Sequence, residues 1–158
     1  MVTNPIVRAL VIVLATAGGA GYAPIAPGTV GSLVALPLVP LVARLRSDGW
    51  LPALAFVALV AAVAVWTAGR AEAIFGAADH GRIVIDEVAG IAVAALFVPP
   101  TWLAAALVFV AFRILDATKP FPAGAIDRHV HGGLGVVGDD LVAGVYAGCL
   151  ARVLLEVL

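Results

Sequence analysis

Three acidic stretches far apart in the chain carry residue types that could hold a divalent cation: Asp86-Glu87, Asp116 and Asp139-Asp140, with Asp127 as a further carboxylate. Two adjacent acid pairs brought together cannot all ionise, because like charges raise one another's proton affinity; a bound cation removes the conflict. All of these donors are oxygens and the chain has one cysteine, Cys149. That donor set suits Mg²⁺, with Mn²⁺ as the alternative, and not zinc. The competing reading is helix capping, since both pairs are expected at helix starts where acids are favoured anyway. Asp116, expected near a helix end where the dipole disfavours an acid, tips the balance toward a site.

Basic residues lie among these acids. Arg113 stands three residues before Asp116, on one helix face, and Lys119 and Arg128 follow. A divalent ion with Arg and Lys is a set suited to gripping a phosphate and offsetting charge as it transfers; plain ion pairing is the alternative. Upstream, Gly18–Ser32 is a charge-free loop rich in glycine and proline that runs into a helix. Its backbone N–H groups and the helix start could meet an anion, and Thr29 and Ser32 could cap that helix or touch a phosphate. It has no GxxxxGK[ST] pattern, which excludes a nucleotide-triphosphate loop. Gly132-Gly133-Leu134-Gly135 reads as a hinge before Asp139. His80, His129 and His131 rank below the carboxylates, because a lone loop histidine is more often a surface residue.

The elements that must position these residues are apolar helices. Of the 158 residues 63% are hydrophobic and 12% charged, and the mean hydropathy is +1.14. Soluble domains run nearer half apolar and a quarter charged. Disorder and a coiled coil are excluded, and a net charge of −1 gives no field for nucleic acid. The spacing predicts helices over Ile6–Thr16, Ser32–Ala43 (kinked by Pro37 and Pro40), Trp50–Ala68, Asp86–Val98, Thr101–Thr118 and Leu141–Leu158, with Pro99-Pro100 separating two of them. The expectation is an all-α membrane bundle of about five to six helices, one domain over 1–158, with a polar site at one membrane face. The greasy core of a soluble bundle is the alternative.

Alternating these helices across a bilayer brings Gly18–Gly31, Asp86-Glu87, Asp116 and Asp139-Asp140 to the same face. That face also collects Arg70, Arg82, Arg113, Lys119 and Arg128, against Arg8, Arg44, Arg46 and Arg152 opposite. The bias favours the site side as cytoplasmic. A small permease using the acids as an ion path is a competing function; acids at helix ends, not at mid-span, speak against it.

Several blocks together resemble the phosphatidylglycerophosphatase A family: Pro24-Ile25-Ala26-Pro27-Gly28-Thr29-Val30-Gly31-Ser32-Leu33, Asp86-Glu87-Val88-Ala89-Gly90, Phe112-Arg113-Ile114-Leu115-Asp116 with Lys119-Pro120, and Asp127-Arg128 through Gly132-Gly133-Leu134-Gly135-Val136 to Asp139-Asp140-Leu141-Val142-Ala143-Gly144. Asp79-His80-Gly81 also looks like the membrane-bound bacterial members. One departure is Tyr22-Ala23-Pro24, where a Ser is expected before the proline. The resemblance implies an all-helical, Mg²⁺-dependent phosphatase of the bacterial inner membrane that converts phosphatidylglycerophosphate to phosphatidylglycerol and phosphate. Its partners would be the phospholipid substrate and the bilayer, with a homo-oligomer left open and a different phosphomonoester as the alternative substrate. The expected metal ligands are Asp86, Glu87, Asp116, Asp139 and Asp140, all but Glu87 also counted as catalytic. Thr29, Ser32, Arg113, Lys119, Asp127 and Arg128 are the expected substrate contacts.

Overall fold

The structure, a computed structural model, describes residues 4–158. They form α1 (Pro5–Ala15), α2 (Pro27–Ala35), α3 (Leu38–Ser47), α4 (Trp50–Phe75), α5 (Ile85–Ala94), α6 (Trp102–Thr118), α7 (Ala123–His129) and α8 (Gly133–Val157). Short 3₁₀ turns follow α1 (Ala17–Tyr22) and α5 (Ala95–Phe97). The all-helical expectation holds among the described residues, with eight α-helices where about five to six were expected.

The differences have local causes. The segment expected over Ser32–Ala43 starts at Pro27, whose fixed φ suits a first helical turn, and is divided at Pro37 into α2 and α3. Helix α4 runs on past Ala68 because Arg70-Ala71-Glu72-Ala73 are strong helix formers, and it stops at Gly76 in the left-handed region (φ 75°). Thr101 caps α6, its Oγ1 accepting from Ala104 N at 3.1 Å. The stretch between the helices expected over Thr101–Thr118 and Leu141–Leu158 contains α7 and the first turns of α8. Gly132–Gly135 is therefore no hinge. Gly133 lies so close to the Val65 carbonyl of α4 that a Cβ would overlap it, so tertiary packing stabilises a helix start that propensity alone would refuse.

At the centre α8 packs against α4, α5 and α6. The approach to α5 is close because Gly144 lies on the Gly90 carbonyl, and a Cβ on Gly90 would come within 2.8 Å of the Asp140 carbonyl. Phe112, Ile91, Val108 and Val39 fill one part of the core, and Val11, Ala64, Ala68 and Val137 another. At the end away from the acids, Arg46 donates to the carbonyls of Leu96 and of Val98, the latter at 3.1 Å, and lies over the Trp50 ring. These bonds satisfy carbonyls that the end of the α5 turn leaves free.

Two stretches, Pro27–Ser47 and Trp50–Phe75, are long and apolar enough to cross a membrane, and about a third or less of each is buried by the rest of the protein. Leu41, Leu51, Leu59, Val110 and Val153 all face outward. So much exposed apolar surface fits lipid better than water.

Candidate active site

Asp86 and Glu87 fall in the first turn of α5, and Asp140 at the start of the third turn of α8. The Gly90–Gly144 contact lies one turn further along each helix. It sets the helix spacing, and that spacing brings the acids together. One carboxylate oxygen from each of Asp86, Glu87 and Asp140 lies within 4.8 Å of the others. All are buried, at 8%, 9% and 4% exposure. The Asp86 Oδ1 and Glu87 Oε2 atoms are buried without a hydrogen-bond partner. Orphaned buried carboxylate oxygens are costly, and like charges this close add to the cost. An all-oxygen donor set with unpartnered lone pairs fits a hard divalent cation such as Mg²⁺ or Mn²⁺.

Capping does not account for the second acid pair. Asp139 and Asp140 are the seventh and eighth residues of α8, not its start. Asp116 and Asp139 differ from Asp86 and Asp140 in having close basic partners. Arg113 Nη1 lies 2.8 Å from Asp116 Oδ2, 3.8 Å from Glu87 Oε1 and 3.5 Å from Ser32 Oγ. Lys119 Nζ lies 2.6 Å from Asp127 Oδ1 and 2.7 Å from Asp139 Oδ2. Lys119 ends α6 in the left-handed region (φ 43°), a conformation unusual for a side chain of its size. Burial pushes its ammonium toward the neutral form, but the bonds from Asp127 and Asp139 outweigh this and hold its pKa above the ordinary lysine value. Asp79 goes the other way from the usual carboxylate. Burial raises its pKa against the opposing pull of Lys119.

These groups line a cavity of about 510 Å³. The wall takes Ala26, Pro27 and Gly28 from the start of α2, Asp86 and Glu87 from α5, Arg113 and Asp116 from α6, Asp127 from α7, and Asp139 and Asp140 from α8, with Lys119 between α6 and α7. The acidic segments that the alternation of helices was expected to bring to one face do meet in this cavity. Gly28 leaves room for the Glu87 carboxylate, because a Cβ there would overlap Glu87 Oε1 and displace it. Ser32 reaches the site only through Arg113; its Oγ otherwise donates to Gly28 O at 2.9 Å within α2, so it is not the helix cap. Thr29 is not in the cavity wall, and Arg128 is exposed on α7 and also outside it. Helical geometry explains both: neighbours of a wall residue turn about 100° away from it.

Glu72, Asp79 and His131 also line the cavity, and reading the acids by pairs missed the first two. Glu72 Oε1 accepts from Asp79 N at 2.9 Å and holds the loop whose Asp79 has φ 43°. The usable signal was the extension of α4, which carries Glu72 to the site. Of the other histidines, His80 packs on Phe75, and His129 Nδ1 lies 2.8 Å from Ala125 O.

An all-helical protein with an apolar exterior, and with carboxylates and basic side chains gathered in one cavity at a bundle end, defines the class: a helical bundle with an apolar surface built around an acidic pocket. Within that class the chain belongs to the phosphatidylglycerophosphatase A family, whose model matches residues 13–155. It is 49% identical over 73 residues to phosphatidylglycerophosphatase A of Escherichia coli (strain K12), covering 44% of this chain and 41% of that one. It is 35% identical over 97 residues to the Haemophilus influenzae protein of the same name, covering 60% and 58%. A Bacteroides thetaiotaomicron relative, provisionally named a phosphatidylinositol-3-phosphatase, is 36% identical over 103 residues, 63% of each chain. The chain thus spans about two fifths to three fifths of the length of these relatives. No solved structure matches it.

Proposed function

We propose that the chain is a divalent-cation-dependent phosphatase that hydrolyses the phosphomonoester of phosphatidylglycerophosphate, releasing phosphatidylglycerol and phosphate, at the cytoplasmic face of a bacterial inner membrane. The observation that carries the reading is the buried Asp86–Glu87–Asp140 cluster, its orphaned oxygens and the adjoining cations, in a chain of this family. Asp86, Glu87 and Asp140 would hold the ion, with Asp116 and Asp139 beside them. When bound, the ion supplies positive charge that polarises phosphate and water.

The chain's own residues do the rest. The contacts described for Arg113 run through Nη1, which leaves the remainder of its guanidinium fork for phosphate oxygens. Lys119, kept charged by Asp127 and Asp139, supplies a second fixed cation. Both act in a walled cavity where charge interactions are stronger than in water. In the reaction a water oxygen bonds to phosphorus, the bond from phosphorus to the glycerol oxygen breaks, and the water's proton passes to a carboxylate. The leaving alkoxide takes up a proton. The acids sit at one end of the bundle, which favours hydrolysis at a surface over ion passage through it.

The test is phosphate release in detergent micelles. Asp86→Asn and Asp140→Asn should each lower kcat by about 10² or more. Unfolding temperature should hold or rise, because each change relieves like-charge repulsion. EDTA should stop turnover, and Mg²⁺ or Mn²⁺ should restore it. Near-normal rates in both variants would refute the site. The name of the Bacteroides relative supports a second substrate reading, a phosphoinositide monoester; relative kcat/KM on the two lipids decides between them.

A further inference from the structure

We propose that the apolar groove between α1, the α2–α3 rod and α5 receives one acyl chain of the phospholipid whose phosphate enters the carboxylate cavity. This rests on the phosphatase reading and adds a lipid-tail subsite to it. The groove has a volume of about 300 Å³ and is walled by Val13, Leu14, Val34, Leu38, Ile85 and Val88. Ile85 forms a buried floor, while Val13 and Val34 are more than half exposed along its sides.

Its position relative to the polar cavity identifies the occupant. Both sites are built on the same two elements. On α5, Ile85 and Val88 bracket Asp86 and Glu87 in sequence, so one helical turn presents acids to the cavity and aliphatic side chains to the groove. On α2, Pro27 and Gly28 belong to the cavity. Val34 and Leu38 lie six and ten residues beyond Gly28. At the rise of a helix that is roughly 9 and 15 Å further along the rod, the latter about half the thickness of a bilayer's hydrocarbon layer. The C-terminal end of α1 is held at the level of the acids, since Val84 N donates to Ala15 O at 2.8 Å. The groove therefore begins beside the site and runs away from it along a segment long and apolar enough to cross a membrane. A ligand with an anionic head and a hydrocarbon tail meets both surfaces at once; a free phosphate ester meets only one.

The experiment uses the full chain in phosphatidylcholine vesicles. The probe is phosphatidylglycerophosphate carrying a diazirine on one acyl chain, and the control is phosphatidylcholine with the same chain. After irradiation, the phosphomonoester lipid should label Val13, Val34 and Leu38 above outward-facing positions such as Leu59 and Val110, and unlabelled phosphatidylglycerophosphate should compete it away. Equal groove labelling by the two lipids, or no enrichment over Leu59, overturns the proposal. A second arm uses Val34→Trp, which fills the groove from an exposed position. KM for the diacyl substrate should rise about tenfold, the cost of excluding about two methylenes, with no change in kcat/KM for the water-soluble deacylated headgroup. Equal losses on both substrates overturn it. If wild-type protein labels selectively but releases no phosphate, the catalytic reading fails and the groove stands; turnover without selective labelling defeats the groove alone.

Discussion

Gly28→Ala separates catalysis from stability. Gly28 is the second residue of α2, in the wall of the cavity. A Cβ added there would overlap Glu87 Oε1, lie 3.1 Å from Glu87 Cδ and sit 3.5 Å from Arg113 Nη1. The obstructing atoms are the far end of a flexible side chain, so the helix need not move; the carboxylate must instead retreat by about an ångström, a displacement that can cost on the order of 10² in rate when it moves a group at the reacting centre. The backbone effect has the opposite sign, since Ala in a helix is favoured over Gly by about 1 kcal/mol. The expected variant is as stable as the parent or slightly more so, and about a hundredfold slower in phosphate release, with weaker Mg²⁺ dependence of its unfolding temperature. Thermal unfolding in detergent with and without Mg²⁺, beside a phosphate-release assay, measures both. Turnover within a few fold of the parent would refute the placement of Glu87 in the reacting centre. A large fall in unfolding temperature would refute the claim that only the side chain yields.

Gly144→Ala should behave oppositely. Its Cβ would meet the Gly90 backbone, so α5 and α8 must part, and a loss of about 1–3 kcal/mol should show as a lower unfolding temperature accompanied by lost activity. Arg46→Ala removes the donor to the Leu96 and Val98 carbonyls at the far end and should cost about 1–3 kcal/mol while KM is unchanged. Lys119→Met should lower activity and leave Asp139 buried without its partner. Because the folded pKa of Lys119 lies above its unfolded value, its contribution to stability is fully present below the unfolded value and fades only as pH rises through the folded one. An activity loss between pH 7 and 9 that disappears in Lys119→Met would contradict this.

Composition and spacing by themselves determined that the chain is helical, that its exterior is apolar, and that its acids share one end. These follow from quantities a linear chain carries: the length of apolar runs, the places where proline interrupts them, and the alternation of direction that successive helices must follow. Asp86, Glu87, Asp116, Asp139 and Asp140 are legible because acids in so apolar a chain stand out. Only the tertiary structure decided how they divide. It grouped Asp86, Glu87 and Asp140 with orphaned oxygens, gave Asp116 to Arg113 and Asp139 to Lys119, brought Glu72 and Asp79 to the cavity wall, and left Thr29 and Arg128 outside it. It also made 133–140 helical, where glycine propensity argues for a loop. The physical reason is common to all of these. Which atoms meet across two helices depends on their spacing and rotation, and here both are set by backbone contacts at Gly90, Gly133 and Gly144 that no local rule of propensity or periodicity encodes.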